Sequence, residues 1–148
     1  MLMTGLPTMD AELAFSRAAR AKRRAAIART LRRNTCGRRL PVYDERQLAR
    51  RAPAAERRIR EIPLGEIRGT VEPSRAELFD GDFRPATAAR SRWQRVWLAE
   101  HRGAVLPPIS VVPVADGYVV RDGHHRVSVA RARGALTIDA AVESLPVA

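Results

Sequence analysis

The fold is indicated most clearly by one segment, Val119-Val120-Arg121-Asp122-Gly123-His124-His125-Arg126-Val127-Ser128-Val129-Ala130. Its first residues predict the end of a strand, its Asp-Gly pair predicts a tight turn, and a helix is predicted from about His124 to Arg133. Free N–H groups at a helix start favour an anion, and glycine lets a ligand approach the backbone. An aspartate before a helix is also an ordinary cap, so both interpretations stay open.

The residues before this stretch predict a β-hairpin. Two valine-rich segments, 111–114 and 118–120, flank Asp116-Gly117, which is a strong hairpin turn sequence. Pro113 is expected at a sheet edge because proline has no N–H group to donate to a neighbouring strand.

Further elements are predicted on both sides of the hairpin. A helix is expected over residues 86–101, with Trp93 and Trp97 four residues apart and packed in the core. A short strand and a turn are expected over 61–67, and a last strand is expected over 137–142. The order is β-α-β-β-α-β, which predicts a fold of class α/β (α+β) for residues 61–148.

Charge divides the chain into two parts. Residues 1–60 contain 16 basic and five acidic side chains, a net charge of +11, whereas residues 61–148 contain 11 of each. The sequence therefore predicts a basic arm, residues 1–60, mainly helical or partly disordered, joined to a neutral domain over residues 61–148.

Within the basic arm, a helix is predicted from Thr8 or Asp10 as N-cap to about Arg33. Its apolar stripe consists mostly of alanine, so we expect weak anchorage. Residues 41–60, with Pro53 among them, predict a second short helix or an irregular segment.

Ten basic residues and no acidic residue occur between positions 17 and 39. Such an unbalanced field predicts nonspecific attraction of DNA or RNA through phosphate contacts, although a charge run is also commonly a solvated face. The nucleic-acid-binding candidates are Arg17, Arg20, Lys22, Arg23, Arg24, Arg29, Arg32, Arg33, Arg38 and Arg39.

Composition excludes several classes of protein. A single cysteine, Cys36, cannot form an internal disulfide. The weakly polar run 103–114 is short and contains three prolines, so it cannot be a transmembrane helix, and no membrane partner is expected. No secretory signal is evident at the N-terminus. We therefore expect a location in the cytoplasm or at the nucleoid.

The motif Gly123-His124-His125-Arg126, between a hairpin and a short helix, resembles that of the ParB/sulfiredoxin superfamily, and in particular small bacterial ParB-like domains. Ile62-Pro63-Leu64 resembles the first conserved box of ParB proteins. Pro108-Ile109-Ser110-Val111 resembles the segment that leads into the central strands. The resemblance covers about residues 61–142.

The resemblance implies a turn and helix start that bind nucleotide phosphates. The implied phosphate- or nucleotide-binding residues are Asp122, Gly123, His124, His125, Arg126 and, after the first strand, Arg84. Cations at a helix N-terminus oppose the helix dipole, a cost that a bound phosphate would relieve. A nucleoside triphosphate with Mg²⁺ is the implied ligand.

Two departures limit what the resemblance implies. Sulfiredoxins have a nucleophilic cysteine where this chain has His124, so their chemistry is not expected here. The glutamate of the ParB-type Gly-Glu-Arg-Arg motif is absent as well.

Adjacent histidines point in different directions on a helix and no Cys/His cluster surrounds them, so no metal site is predicted.

The leading expectation is a ParB-like domain that binds a nucleotide or phosphate, with nonspecific nucleic-acid affinity and a role in DNA transactions or regulation. The alternative is an enzyme of the same fold, a phosphotransferase or a phosphodiester hydrolase. Free-serine kinases share the fold, and the resemblance makes Glu72 and Asp82 the candidate catalytic carboxylates. A non-catalytic scaffold is the third possibility.

Overall fold

A five-stranded mixed sheet organises the chain in the computed structural model, which describes residues 3–51 and 57–143. The order across the sheet is β1-β5-β3-β4-β2. Two pairs are antiparallel, β1 with β5 and β3 with β4, and two are parallel, β2 with β4 and β3 with β5. The strands are β1 Arg57–Pro63, β2 Ile67–Thr70, β3 Ile109–Val114, β4 Gly117–Asp122 and β5 Thr137–Glu143.

Two α-helices precede β1, one lies between β2 and β3, and one lies between β4 and β5. They are α1 Pro7–Leu31, α2 Glu45–Arg51, α3 Arg90–His101 and α4 His124–Ala132. Short 3₁₀ turns occupy Leu64–Glu66, Pro73–Leu78 and Thr87–Ala89. None of the helices in the described residues has both the length and the apolar character needed to span a membrane.

The predicted α/β class is confirmed, and the predicted order holds from β2 to β5 as β2-α3-β3-β4-α4-β5. The strand and turn predicted over residues 61–67 are present, but a second strand, which was not predicted, begins at the end of this segment. Pro63 ends β1, a 3₁₀ turn follows, and Ile67 begins β2 at the opposite end of the strand order. The pairing of β2 with β4 joins residues about 50 positions apart, which no local pattern in the sequence reveals.

Pro113 was predicted to lie at a sheet edge, but the structure places it in an internal strand, because β3 lies between β5 and β4. The register with β5 covers only Ile109, Ser110 and Val111, so Pro113 lies beyond the end of that ladder. On its other side Pro113 is paired with Tyr118 of the hairpin. A proline is compatible with an internal strand here because the strand is internal along only half of its length.

The main core lies against the sheet and includes a residue of the basic arm. Leu40 is buried in the same cluster as Ile109, Val111 and Val120. The main-chain carbonyl of Pro41 accepts a hydrogen bond from the N–H of Thr70 at 2.9 Å. Because β1 also begins at Arg57, the sheet and core use residues on both sides of position 61.

The first half of α1 packs against α3 and α4. Phe15 is fully buried and meets Trp93 edge to face, with ring centres 5.5 Å apart. Trp93 donates its indole N–H to Ser128 Oγ at 2.9 Å. Both tryptophans are buried, which confirms their predicted core packing. The expected weak anchorage of α1 applies to its second half, where Leu31 is 81% exposed.

Helix α1 begins with Pro7 in its first turn, and its N-cap residue is Leu6, not Thr8 or Asp10 as predicted. Proline is favourable at a first helical position because it has no N–H group to satisfy. The Asp10 carboxylate instead accepts hydrogen bonds from the N–H and hydroxyl of Thr4, at 2.7 and 2.8 Å. These bonds lower the pKa of Asp10 and tie down the segment before the helix.

Candidate functional site

Gly123 joins β4 directly to α4 through a left-handed backbone conformation with φ of +106°. A Cβ atom at this position would lie 2.4 Å from Cγ2 of Ile109 and 2.8 Å from its Cβ. Both the backbone angle and the space therefore require glycine. The turn sets the direction of the first residues of α4, which carry the predicted site.

His124 is buried and bound to the end of β2. Its Nε2 lies 2.6 Å from Thr70 Oγ1, which also accepts the N–H of Glu72 at 2.8 Å. The imidazole stacks on Phe79 at a ring-centre distance of 6.5 Å. Burial, followed by the positive charge of Arg75, lowers the pKa of His124 to about 4.

His125 is buried on the same phenylalanine, with an edge-to-face contact at 5.2 Å. Burial lowers its pKa to about 4, and the charges of Arg92, Arg75 and Arg95 act in the same direction. Both histidines are therefore neutral at pH 7. No hydrogen bond to the His125 ring occurs among the described residues, in contrast to the contact of His124 with Thr70.

Arg75, Arg92 and Arg95 are the cations around the histidines, and sequence reasoning missed all three. Arg75 comes from the 3₁₀ turn after β2, and the other two come from α3. Within the described ranges, no carboxylate lies within ion-pair distance of any of them. The three-residue spacing of Arg92 and Arg95, which puts them on one helix face, was the available sequence cue.

Arg126 is committed to the protein rather than left free for a phosphate. Its guanidinium donates to the carbonyls of Pro107 and Pro108, the latter at 3.2 Å, and to the Asp122 carboxylate at 3.1 Å. Its side chain is only 16% exposed. In this structure the Arg126 guanidinium joins α4 to the loop before β3, and binding of a phosphate by Arg126 stays a prediction.

Arg84 and Asp82, both predicted from the resemblance, belong to a different cluster. Asp80 is completely buried, and one of its oxygens accepts the main-chain N–H groups of Asp82 and Arg84 at 3.0 and 2.9 Å. The Arg84 guanidinium binds the carboxylates of Asp80 and Asp82 at 3.2 and 3.1 Å. Among the described residues, no hydrogen bond or ion pair joins this cluster to residues 122–126.

Glu72 is the candidate carboxylate that the structure brings toward the histidines. It follows β2 by two residues, is half-buried, and donates its main-chain N–H to the hydroxyl that contacts His124. Within residues 3–51 and 57–143, no three His, Cys, Asp or Glu side chains form a group that could hold a metal ion.

The basic residues of the arm are mostly exposed. Eight of the ten candidates are exposed, and Lys22 and Arg29 are half-buried. Arg39 lies 3.9 Å from Glu77, a pair in which both side chains are largely exposed. The described part of this surface therefore keeps a large excess of positive charge.

Comparison with known proteins yields one similarity of fold. No family model matches the chain, and no curated protein matches it. A solved structure, sulfiredoxin from Arabidopsis thaliana, is similar with a TM-score of 0.43 and 22% sequence identity. The match covers 59% of this chain and 85% of that chain. The likeness concerns the fold alone.

Replacing Gly123 with alanine tests the constraint at the start of α4. We expect Gly123→Ala to lower the free energy of unfolding by about 3 kcal/mol, from backbone strain and the clash with Ile109. Gly134→Ala is the matched control, because Gly134 also has a positive φ, +78°, but nothing lies within 4 Å of its added Cβ. It should cost about 1 kcal/mol in urea denaturation. Equal losses in the two variants would contradict the packing role.

The buried histidines predict acid sensitivity. Their pKa of about 4 is below the ordinary value of 6.5, so the unfolded chain binds protons first. Stability is therefore fully present above pH 6.5 and is lost as the pH falls toward 4, by up to about 1.4 kcal/mol per pH unit for each histidine. Urea unfolding is measured for wild type and His125→Gln between pH 7 and 4.5. Because both proteins contain the same carboxylates, the difference between their pH dependences of stability reports the contribution of His125. Identical slopes would refute the prediction for His125.

Proposed function

We propose that this protein binds the phosphate groups of a nucleotide at the N-terminus of α4. The observation that carries the proposal is the set of three arginines, Arg75, Arg92 and Arg95, which act on the buried histidines without a carboxylate partner in the described structure. Arg75 acts on His124 more strongly than the carboxylate of Asp122 does, and all three arginines act on His125, so the surroundings of this helix start attract anions.

The backbone supplies further donors at the same place. The N–H groups of His124, His125 and Arg126 belong to the first turn of α4, and no acceptor for them is present among the described residues. Such groups bind phosphate oxygens directly, and the helix dipole favours the negative charge. Arg126 supports the site by holding this turn against Pro107 and Pro108.

His125 gives the site a group that can respond to the ligand. Its ring is neutral without ligand because burial and the arginines lower its pKa. A phosphate beside the ring would favour the protonated form and add a charge-assisted hydrogen bond. Nucleotide binding should therefore raise the pKa of His125, whereas Thr70 already occupies one nitrogen of His124.

Calorimetric titration with ATP, GTP and CTP, each with and without Mg²⁺, tests this proposal. We expect Arg75→Ala and Arg92→Ala each to weaken binding by about tenfold, since each removes one charge-assisted contact. Arg102→Ala is the matched control. Arg102 is exposed and follows the C-terminal end of α3, and its replacement removes the same charge. Absence of binding to every nucleotide would refute the proposal and leave a scaffold.

An enzymatic version of this function is supported by Glu72. This carboxylate-bearing residue lies beside Thr70 and is thus on the His124 side of the site, whereas Asp82 is paired with Arg84. If the protein hydrolyses or transfers a phosphate, Glu72→Gln should lower kcat by about 100-fold and leave nucleotide affinity unchanged. Asp82→Asn is the control, and an equal loss in both variants would contradict this role for Glu72.

A second proposed function is nonspecific nucleic-acid binding by the exposed face of residues 17–39. Its support is the eight exposed basic residues and the absence of acidic residues in that range. Each phosphate contact releases counterions, so affinity should fall steeply with salt.

Fluorescence anisotropy of a labelled DNA duplex between 50 and 200 mM salt measures this property. Replacing Arg20, Arg23, Arg32 and Arg38 with glutamine should reduce the salt slope by about three to four and weaken binding at every concentration. These residues are exposed, so the changes leave the core intact, whereas deleting residues 1–60 would remove Leu40 and β1 from it. An unchanged salt slope would contradict the proposal.

A further inference from the structure

A groove of about 790 Å³ lies between α1, the second half of α4 and the loop that contains Asp82 and Arg84. Helix α1 lines it over residues 14–24, and α4 and the residue that follows it line it over 128–133. Of the residues expected or proposed above to bind a nucleotide, only Arg84 lines this groove, and there it is paired with Asp80 and Asp82. Its volume is in the range of pockets that bind small organic ligands.

Small side chains on α1 create the space. Ala14, Ala18 and Ala21 recur along one face of the helix and line the groove. Phe83 and Trp97 line the facing surfaces. Because alanine projects only a methyl group, α1 packs near these aromatic rings without filling the gap between them. The groove therefore has apolar walls that suit the body of an organic molecule.

The charged residues of the groove are mostly arginines. Two of them are already paired, Arg84 with Asp82 and Arg133 with Glu100 at 3.6 Å. Arg17 and Arg24 are exposed, with no carboxylate partner among the described residues. They lie seven residues apart, which is about two helical turns, and therefore project from the same face of α1.

Arg131 adds a partly buried cation from the opposite wall. Its Nη2 donates to the carbonyl of Leu64 at 2.6 Å, and its guanidinium lies 5.8 Å from the ring centre of Phe83. Its Nε is buried without a hydrogen-bond partner. No carboxylate of the described residues lies within ion-pair distance of it. Asp82 and Asp80 favour its charged form from beyond ion-pair distance, so this partly desolvated cation is only partly compensated and can gain from a further anion.

We infer that this groove binds an organic phosphate whose phosphate group contacts Arg17, Arg24 and Arg131. The apolar or aromatic body of the ligand lies along the alanine face of α1. Arginine suits phosphate because its planar fork donates two parallel hydrogen bonds, and three arginines can reach different oxygens of one group. The site is independent of the N-terminus of α4 and does not rest on the nucleotide proposal.

Isothermal titration with 1-naphthyl phosphate tests the inference in the full chain. The double variant Arg17→Ala/Arg24→Ala should bind at least about tenfold more weakly than wild type. Arg20→Ala/Arg23→Ala, on the same helix but outside the groove, changes the charge equally and should stay within about twofold. Neutral 1-naphthol should not bind measurably. Arg75→Ala/Arg92→Ala should bind like wild type, which separates this groove from the α4 site.

A volume test accompanies the charge test. Ala21→Leu puts a larger side chain into the groove without a change in charge and should abolish binding, whereas Ala25→Leu, half-buried outside the groove, should not. Circular dichroism checks that each variant is folded. The inference fails if wild type does not bind the probe at millimolar concentration, if both arginine pairs weaken it equally, or if Ala21→Leu binds normally.

Discussion

The contact of Gly123 with Ile109 is the constraint on which the rest of the site depends. A single left-handed residue turns the chain from β4 into α4, and it does so directly against the first residue of β3. Ile109 in turn pairs with Ala140 of β5, so the turn is fixed to the middle of the sheet. The Arg126 guanidinium also holds this turn in place, because it donates hydrogen bonds to main-chain carbonyls of the loop before β3.

This fixed turn places two neutral histidines on Phe79 and leaves the first N–H groups of α4 without an acceptor among the described residues. The cost of burying imidazoles beside three arginines is visible in their low pKa values. An arrangement that opposes cations to a helix dipole is stable only because packing enforces it, and an anion would relieve it. We therefore propose that packing fixes this turn in a conformation that favours phosphate binding.

Local sequence chemistry was sufficient to predict the elements around this turn. The Asp116-Gly117 hairpin, the glycine before α4 and the aromatic face of α3 each depend on residues close in sequence. The pairing of β2 with β4 and the place of Leu40 in the core depend on distant residues, so no local pattern predicts them. Net charge similarly predicted a basic arm but not that the first half of α1 packs on the tryptophans of α3.

The candidate site was predictable in its backbone but only partly in its side chains. The motif predicts the glycine turn and the start of the helix. The contacts of the Arg126 guanidinium depend instead on main-chain carbonyls 18 and 19 residues earlier in the chain. The position of Arg84 depends on the buried carboxylate of Asp80, whose burial no local pattern in the sequence indicates. Arg75 enters from a 3₁₀ turn whose position is set only by tertiary packing.

Binding of nucleotide phosphates at the N-terminus of α4 can be tested by two-dimensional ¹H–¹⁵N NMR of the full chain during titration with Mg²⁺–ATP. We expect the largest, saturable chemical-shift changes at the amide groups of His124, His125 and Arg126. We also expect a rise in the pKa of the His125 ring. Saturable shifts confined to α1, or no shift in the first turn of α4, would contradict this binding.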